Sequence, residues 1–154
     1  MSMVNLNPLL SETEKERRAY FDKDVVARTI YGEGRGQSFE GQVAIGFVIF
    51  NRAKERKQSV REVCLAPRQF SCWNLGDINR KIIETITLQS KGFTRAYGIA
   101  CLIMTEDLND PTFNPEIGRG ANHYYNPDIV HPNWAKNMKV LKTIDDHIFL
   151  TDRS

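Results

Sequence analysis

The sequence predicts an α+β fold: a helical N-terminal lobe followed by a small C-terminal lobe that contains a β-hairpin. Three observations lead there. Residues 43–50, Val-Ala-Ile-Gly-Phe-Val-Ile-Phe, are apolar almost all round, as in a helix buried at the centre of a core. Helical spacing stops after Met104, and Asp110 to Gly120 is rich in Pro, Asn and Gly. Beyond that, Lys139–Thr143 and His147–Thr151 are short β-prone runs joined through Asp145-Asp146, a hairpin pattern. With 154 residues, 41% hydrophobic and 26% charged, the chain reads as one domain over 1–154 that can bury a core without staples.

The elements follow in order. Residues 1–11 are expected to form a flexible N-terminal segment. Ser11, with Glu12 and Glu14 behind it, marks a helix start, so one helix is expected over 12–20 and a second from Asp22 to Glu33. In the second, Val25, Val26, Thr29 and Ile30 are spaced to face inward. Phe39–Arg56 is the central helix, and its polar end, Asn51-Arg52, should emerge beside whatever the helix supports. Ser59 caps a short helix to about Leu65, which Pro67 closes. Asp77 opens an amphipathic segment to about Gln89, with Ile78, Ile82, Ile83 and Ile86 on one face. A further helix runs from Phe93 or Thr94 to Met104, and residues 110–120 are expected to be irregular. His123–Tyr125 reads as a short strand, whose alternation turns His123 and Tyr125 one way and Tyr124 the other.

Composition removes several classes. A net charge of +2 and the lack of a basic helix face argue against a nucleic-acid partner. No apolar run is long enough to cross a bilayer. Met1–Leu10 has neither a basic n-region nor an apolar h-region, so synthesis in the cytoplasm without a signal peptide is expected, with any extracellular target reached by release or particle delivery. Cys64, Cys72 and Cys101 form no metal spacing and read as free thiols, with a Cys64–Cys72 bridge left open. His123, His131 and His147 show no ligand spacing either, so neither metal nor cofactor is expected. A monomer is the default.

The chemistry centres on Ala27-Arg-Thr-Ile-Tyr-Gly-Glu33-Gly-Arg-Gly-Gln37. Here a single carboxylate stands at the end of an apolar-faced helix, where glycines permit tight turns. A carboxylate held against apolar neighbours has a raised pKa and serves as a proton donor near neutral pH; the competing reading is a solvated helix end. Gln69, Ser71 and Trp73 belong to a mixed aromatic and amide loop suited to a sugar, with Phe70 expected in the core beneath it. His123, Tyr124 and Tyr125 are further candidate substrate contacts. Arg28, Arg35 and Arg52 either hold carboxylates of a substrate or pair with nearby acids, Arg52 being expected to be structural.

Taken together, the glycine-flanked Glu33, the Gln42-Val-Ala…Asn51-Arg52 helix, the Pro67-Arg-Gln69-Phe70-Ser71 block, Gly120-Ala-Asn-His123-Tyr124-Tyr125-Asn-Pro127 and Pro132-Asn-Trp134 resemble the catalytic domain of the SleB/CwlJ family of cell wall hydrolases. That family includes spore-cortex-lytic enzymes and relatives carried by phages. The resemblance covers a core of about residues 22–150. It implies a lysozyme-like or lytic-transglycosylase-like groove, glycan strands of peptidoglycan as substrate, and Glu33 as the one essential acid. It also implies that the substrate's own 6-hydroxyl attacks C1 of the muramoyl residue and leaves a 1,6-anhydro end. In the family, the block at His123–Tyr125 lies across the groove from the glutamate, and a histidine often stands where this chain has Tyr125. A hydrolytic N-acetylmuramidase remains open, with Glu40, Asp77, Glu106, Asp107 or Glu116 as a second carboxylate. So does a non-catalytic wall-binding or particle-structural module, whereas amidase activity has no zinc triad in its favour.

Overall fold

A computed structural model of the chain describes residues 7–105 and 115–153. The first element, α1, is one continuous helix from Asn7 to Gly34. The expected break near residue 21 is absent, and so is an irregular segment over residues 7–11. No Gly or Pro interrupts the chain between Ser11 and Tyr31, and the Arg18–Glu14 (2.7 Å) and Arg28–Asp24 (2.8 Å) pairs brace successive turns.

The second helix, α2 (Phe39–Arg56), starts where Ser38 accepts a hydrogen bond from the Gly41 N–H, and it is buried without interruption from Gly41 to Ala53. It is the central helix that its apolar run predicts. The short α3 (Val60–Leu65) begins in a capping box between Ser59 and Glu62. Next comes a 3-10 turn at Ser71–Trp73, then α4 (Ile78–Thr85), capped by Asp77. This helix stops four residues short of the expected end. The Arg28 guanidinium takes the carbonyls of Ile83 (2.6 Å) and Ile86 (2.9 Å), which occupies acceptors that another turn would have used. Ile78, expected on the apolar face, is 81% exposed at the first helical position.

α5 (Lys91–Met104), capped by Ser90, packs along α1 and α2. A short helix, α6 (Pro115–Gly120), replaces part of the irregular stretch expected over 110–120; the remainder of that stretch lies outside the described residues. Three strands complete the chain: β1 (His123–Tyr125), β2 (Lys139–Ile144) and β3 (His147–Thr151). They form an antiparallel sheet in the order β1-β3-β2, in which Tyr124 stands opposite Phe149. Among the described residues no helix is long and apolar enough to cross a membrane.

The sheet is tied to the helices at both ends of α2. At its start, Asp145 in the hairpin turn accepts from the Ser38 N–H (2.8 Å) and hydroxyl (2.6 Å). Near its finish, the Asn51 amide donates to the Ala121 carbonyl (2.8 Å) and Arg52 Nε to the Asn122 carbonyl (2.7 Å). The chain is thereby fixed just before it enters β1. Asn51-Arg52 does what the sequence predicts, and β1 is what it supports.

Candidate active site

Glu33 occupies the last turn of α1, half-buried, with a different element on each side. Gly32 makes that crowding feasible. A Cβ there would stand 2.7 Å from Cys72 Cβ and 2.9 Å from Cys72 Sγ, so only a glycine lets the Ser71–Trp73 turn lie against the helix. Gly36 then reverses the chain with φ +89°.

Three residues donate to the carboxylate. The Tyr124 hydroxyl, from the far side in β1, reaches Glu33 Oε1 at 3.0 Å. The Ser71 hydroxyl approaches Oε2 at 3.4 Å, and Cys72 donates through both its backbone N–H and its thiol. Burial holds the Glu33 carboxyl above its ordinary range, and these hydrogen bonds, which favour the ionised form, only partly offset that. Burial and the neighbouring Glu33 charge push the Tyr124 phenol far up, so it stays a neutral donor. The result is a proton-retaining carboxyl with fixed orientation.

Tyr124 is itself held in place. Its ring packs against His147 (5.0 Å between centroids) and Phe149 (5.6 Å). Burial lowers the proton affinity of His147, whose Nδ1 has no hydrogen-bond partner. On the opposite face of β1, His123 and Tyr125 both pack against Trp134, at 5.1 and 5.8 Å. The strand alternation is as the sequence predicts. Tyr124 alone of the three faces Glu33.

The loop candidates divide. Ser71 reaches Glu33. Trp73, half-buried, sends its indole N–H to Thr29 Oγ1 (2.8 Å), one helical turn before Glu33. Gln69 stands farther along, where its Oε1 lies 3.4 Å from guanidinium nitrogens of both Arg52 and Arg56. Phe70 is buried in the core, as expected, beneath the Arg52 guanidinium.

Arg28 turns out to be structural, committed to Asp24 and two carbonyls. Arg35 donates to Asn79 on the surface (2.9 Å). Of the candidate second carboxylates, Glu40 is paired with Lys142 (2.6 Å) and Asp77 caps α4. Glu106, Asp107 and the Glu116 side chain lie outside the described residues. The three cysteines are free; burial pushes the Cys64 thiol up to about 12. Among the described residues no three His, Cys, Asp or Glu side chains gather as metal ligands.

Sequence reasoning missed Gly32, Cys72, Arg56, Arg68 and Trp134 as parts of this region. A glycine directly before the key acid was the available signal for the first two. Nothing in local spacing joins Arg56 and Arg68 to His123.

Comparison with known proteins identifies the family of the chain. The family model described as Cell Wall Hydrolase matches residues 36–150, a span that begins just past Glu33 and includes Ser71 and Tyr124. The spore cortex-lytic enzyme of Oceanobacillus iheyensis is 31% identical over 134 residues, which cover 83% of this chain and 41% of that protein. The spore cortex-lytic enzyme of Bacillus subtilis is 30% identical over 130 residues, 83% of this chain and 37% of that one. The chain thus spans about two fifths of the length of such relatives. Among solved structures, the catalytic domain of the Bacillus cereus SleB protein superimposes with a TM-score of 0.61 at 27% identity, covering 84% of this chain and 89% of that one. The catalytic domain of the germination-specific lytic transglycosylase SleB from Bacillus anthracis gives 0.62 at 28% identity, covering 84% and 93%.

Proposed function

The chain belongs to the cell wall hydrolase family, and from that premise we propose that it cleaves the β-1,4 bond between N-acetylmuramic acid and N-acetylglucosamine as a lytic transglycosylase. The observation that carries this reading is Glu33 held by Tyr124 with burial raising its proton affinity. Protonated Glu33 gives its proton to the glycosidic oxygen as the C1–O bond breaks and positive charge develops at C1. The resulting carboxylate then takes the proton of the muramoyl 6-hydroxyl, whose oxygen attacks C1 and closes the 1,6-anhydro ring. Glu33 ends protonated, as it began, and no water is consumed.

One carboxyl suffices for this sequence of steps. Hydrolysis by inversion would need a second carboxylate to activate water, and Glu40 and Asp77 are engaged elsewhere.

The test is mass spectrometry of fragments released from purified sacculi by the wild type and by Glu33→Gln. Anhydromuramoyl ends that disappear with the variant are expected. Reducing muramic ends, lost with the variant, would make the enzyme a hydrolytic muramidase. Unchanged release by the variant would remove Glu33 from the mechanism, and no release by either protein would leave a wall-binding module.

A further inference from the structure

Beside Tyr124 lies a recess of about 310 Å³ lined by Arg52, Arg56, Arg68, Gln69, His123, Tyr124 and Trp134. Three guanidinium groups around one recess repel each other unless an anion joins them. The chain carries a net charge of only +2, so this concentration is not general basicity. Among the described residues none of the three has an ion pair. The neighbouring acids are occupied: Glu55 by Arg153 (2.9 Å), and Asp152 by the Asn122 amide (2.6 Å). What faces Arg52 and Arg56 instead is the neutral Gln69 carbonyl, shared at 3.4 Å from each. It cannot neutralise two cations.

Arg68 adds an independent observation. The Gln69 N–H donates to the Ala66 carbonyl (3.2 Å), which closes a four-residue turn with Pro67 second and Arg68 third. Arg68 there has φ +65°, a position that favours glycine or asparagine. A long cationic side chain is kept where the backbone disfavours it, and such strain collects at ligand sites. Arg52 is buried and pinned by its Nε to the Asn122 carbonyl, so it presents its charge without freedom to turn away.

We propose that this recess is a carboxylate subsite, in which Arg56 and Arg68, backed by Arg52, grip the acidic substituent carried on the lactyl arm of a muramoyl residue. This rests on the glycan-cleaving reading above. Guanidinium forks match a carboxylate's two oxygens, and Tyr124 links recess to acid, since it lines the one and bonds the other. A muramoyl residue near the bond at Glu33 therefore brings its lactyl arm to within a tyrosine's length of the arginines. His123 and Trp134, packed at a tilt with centroids 5.1 Å apart, form an aromatic wall for the sugar face. The carboxylate has two sources: the lactyl group itself, where no peptide is attached, or the stem peptide that extends it. A muramic lactam, with the lactyl carboxyl tied up as an internal amide, offers neither.

An NMR titration of the whole chain separates the sources. The probes are N-acetylmuramic acid, N-acetylmuramoyl-L-alanyl-D-glutamate, and both with their carboxyls converted to amides. Shifts at the Trp134 indole and His123, about tenfold weaker with the amidated probes, are expected. A response to the first probe assigns the lactyl carboxylate, and a response to the second alone assigns the peptide. Equal binding of charged and amidated probes, or no response at His123 and Trp134, overturns the subsite. On sacculi, Arg56→Gln and Arg68→Asn should each raise KM by about tenfold with kcat nearly unchanged; an unchanged KM in both variants also overturns it. Specific binding by a wild type that cleaves no glycan would retain the subsite and dismiss the glycosidase.

Discussion

As the proposed general acid, Glu33 has to keep a proton at a pH where a water-exposed glutamate has lost it, and its surroundings pull in both directions. Burial raises its proton affinity, while Tyr124, the Cys72 N–H and Ser71 lower it. The net direction is upward, and that has a consequence for stability. Between the unfolded and folded pKa values the native state binds more protons than the unfolded one, so Glu33 costs stability as pH rises through that window and costs nothing below it. Glu33→Gln removes the titration. The variant should therefore gain melting temperature relative to wild type as pH rises above the ordinary glutamate range, read from paired thermal melts. The opposite trend would show a carboxylate stabilised as an ion, unfit to act as an acid. Tyr124→Phe separates the two pulls: with one lowering bond gone, the alkaline limb of the pH–activity profile should move to higher pH. Loss of a charge-assisted hydrogen bond should also lower kcat by about tenfold or more. An unmoved limb would mean that Tyr124 does not address the catalytic form of Glu33. At this scale the residues around Glu33 left a buried acid and a solvated helix end both open, and the resemblance carried by the other blocks singled out the acid. Tyr124 as its partner, 91 residues away, depends on strand alternation that only the fold turns into contact.

Between elements, the site depends on how closely the Ser71–Trp73 turn lies against α1. Ala at position 32 would drive a methyl into Cys72 and within 3.0 Å of Ile83 Cγ2, and none of these is a flexible side-chain end. Gly32→Ala should destabilise the fold by about 1–3 kcal/mol, as overpacking does, and displace Ser71 from Glu33. Denaturant titration measures the first effect and kcat the second. A variant that loses stability but keeps full kcat would show that the turn does not position the acid. The apolar patterns of α2 and α5 and the Ser59 cap of α3 were legible because they are local, although α5 starts at Lys91, two residues before the expected Phe93. Two boundaries were not. The continuity of α1 through Phe21 reflects the absence of a breaker, which charge clustering near Asp22 disguises. The early end of α4 comes from Arg28, more than fifty residues earlier in the chain, capturing its final carbonyls. The arginine recess was hidden for the same reason, since α2, the Pro67 turn and β1 supply its lining from separate parts of the sequence.

For the molecule as a whole, the acid sits on the helices and its orienting tyrosine on the sheet, so the site exists only while the two parts stay docked. The ties between them include Tyr124 to Glu33, Ser38 to Asp145, Glu40 to Lys142, and the Asn51-Arg52 end of α2 to the carbonyls before β1. The last is buried, and a buried polar group left without its partner costs about 1–3 kcal/mol. A three-stranded sheet this small has little core of its own, and its buried Phe149 and Ile144 belong to the same apolar cluster as the helix residues. The sheet should therefore not outlast the helices, and unfolding should be a single transition. The two tryptophans make this measurable, since Trp73 is bonded to α1 whereas Trp134 packs on β1. In Trp73→Phe the remaining indole reports on the sheet side, while circular dichroism reports mainly on α1, α2 and α5. Coincident denaturant midpoints are expected. If Trp134 fluorescence changed first, with the helices intact, the sheet would be separable, and activity should then fall along the fluorescence curve, because Glu33 would have lost Tyr124 before the rest of the fold was lost.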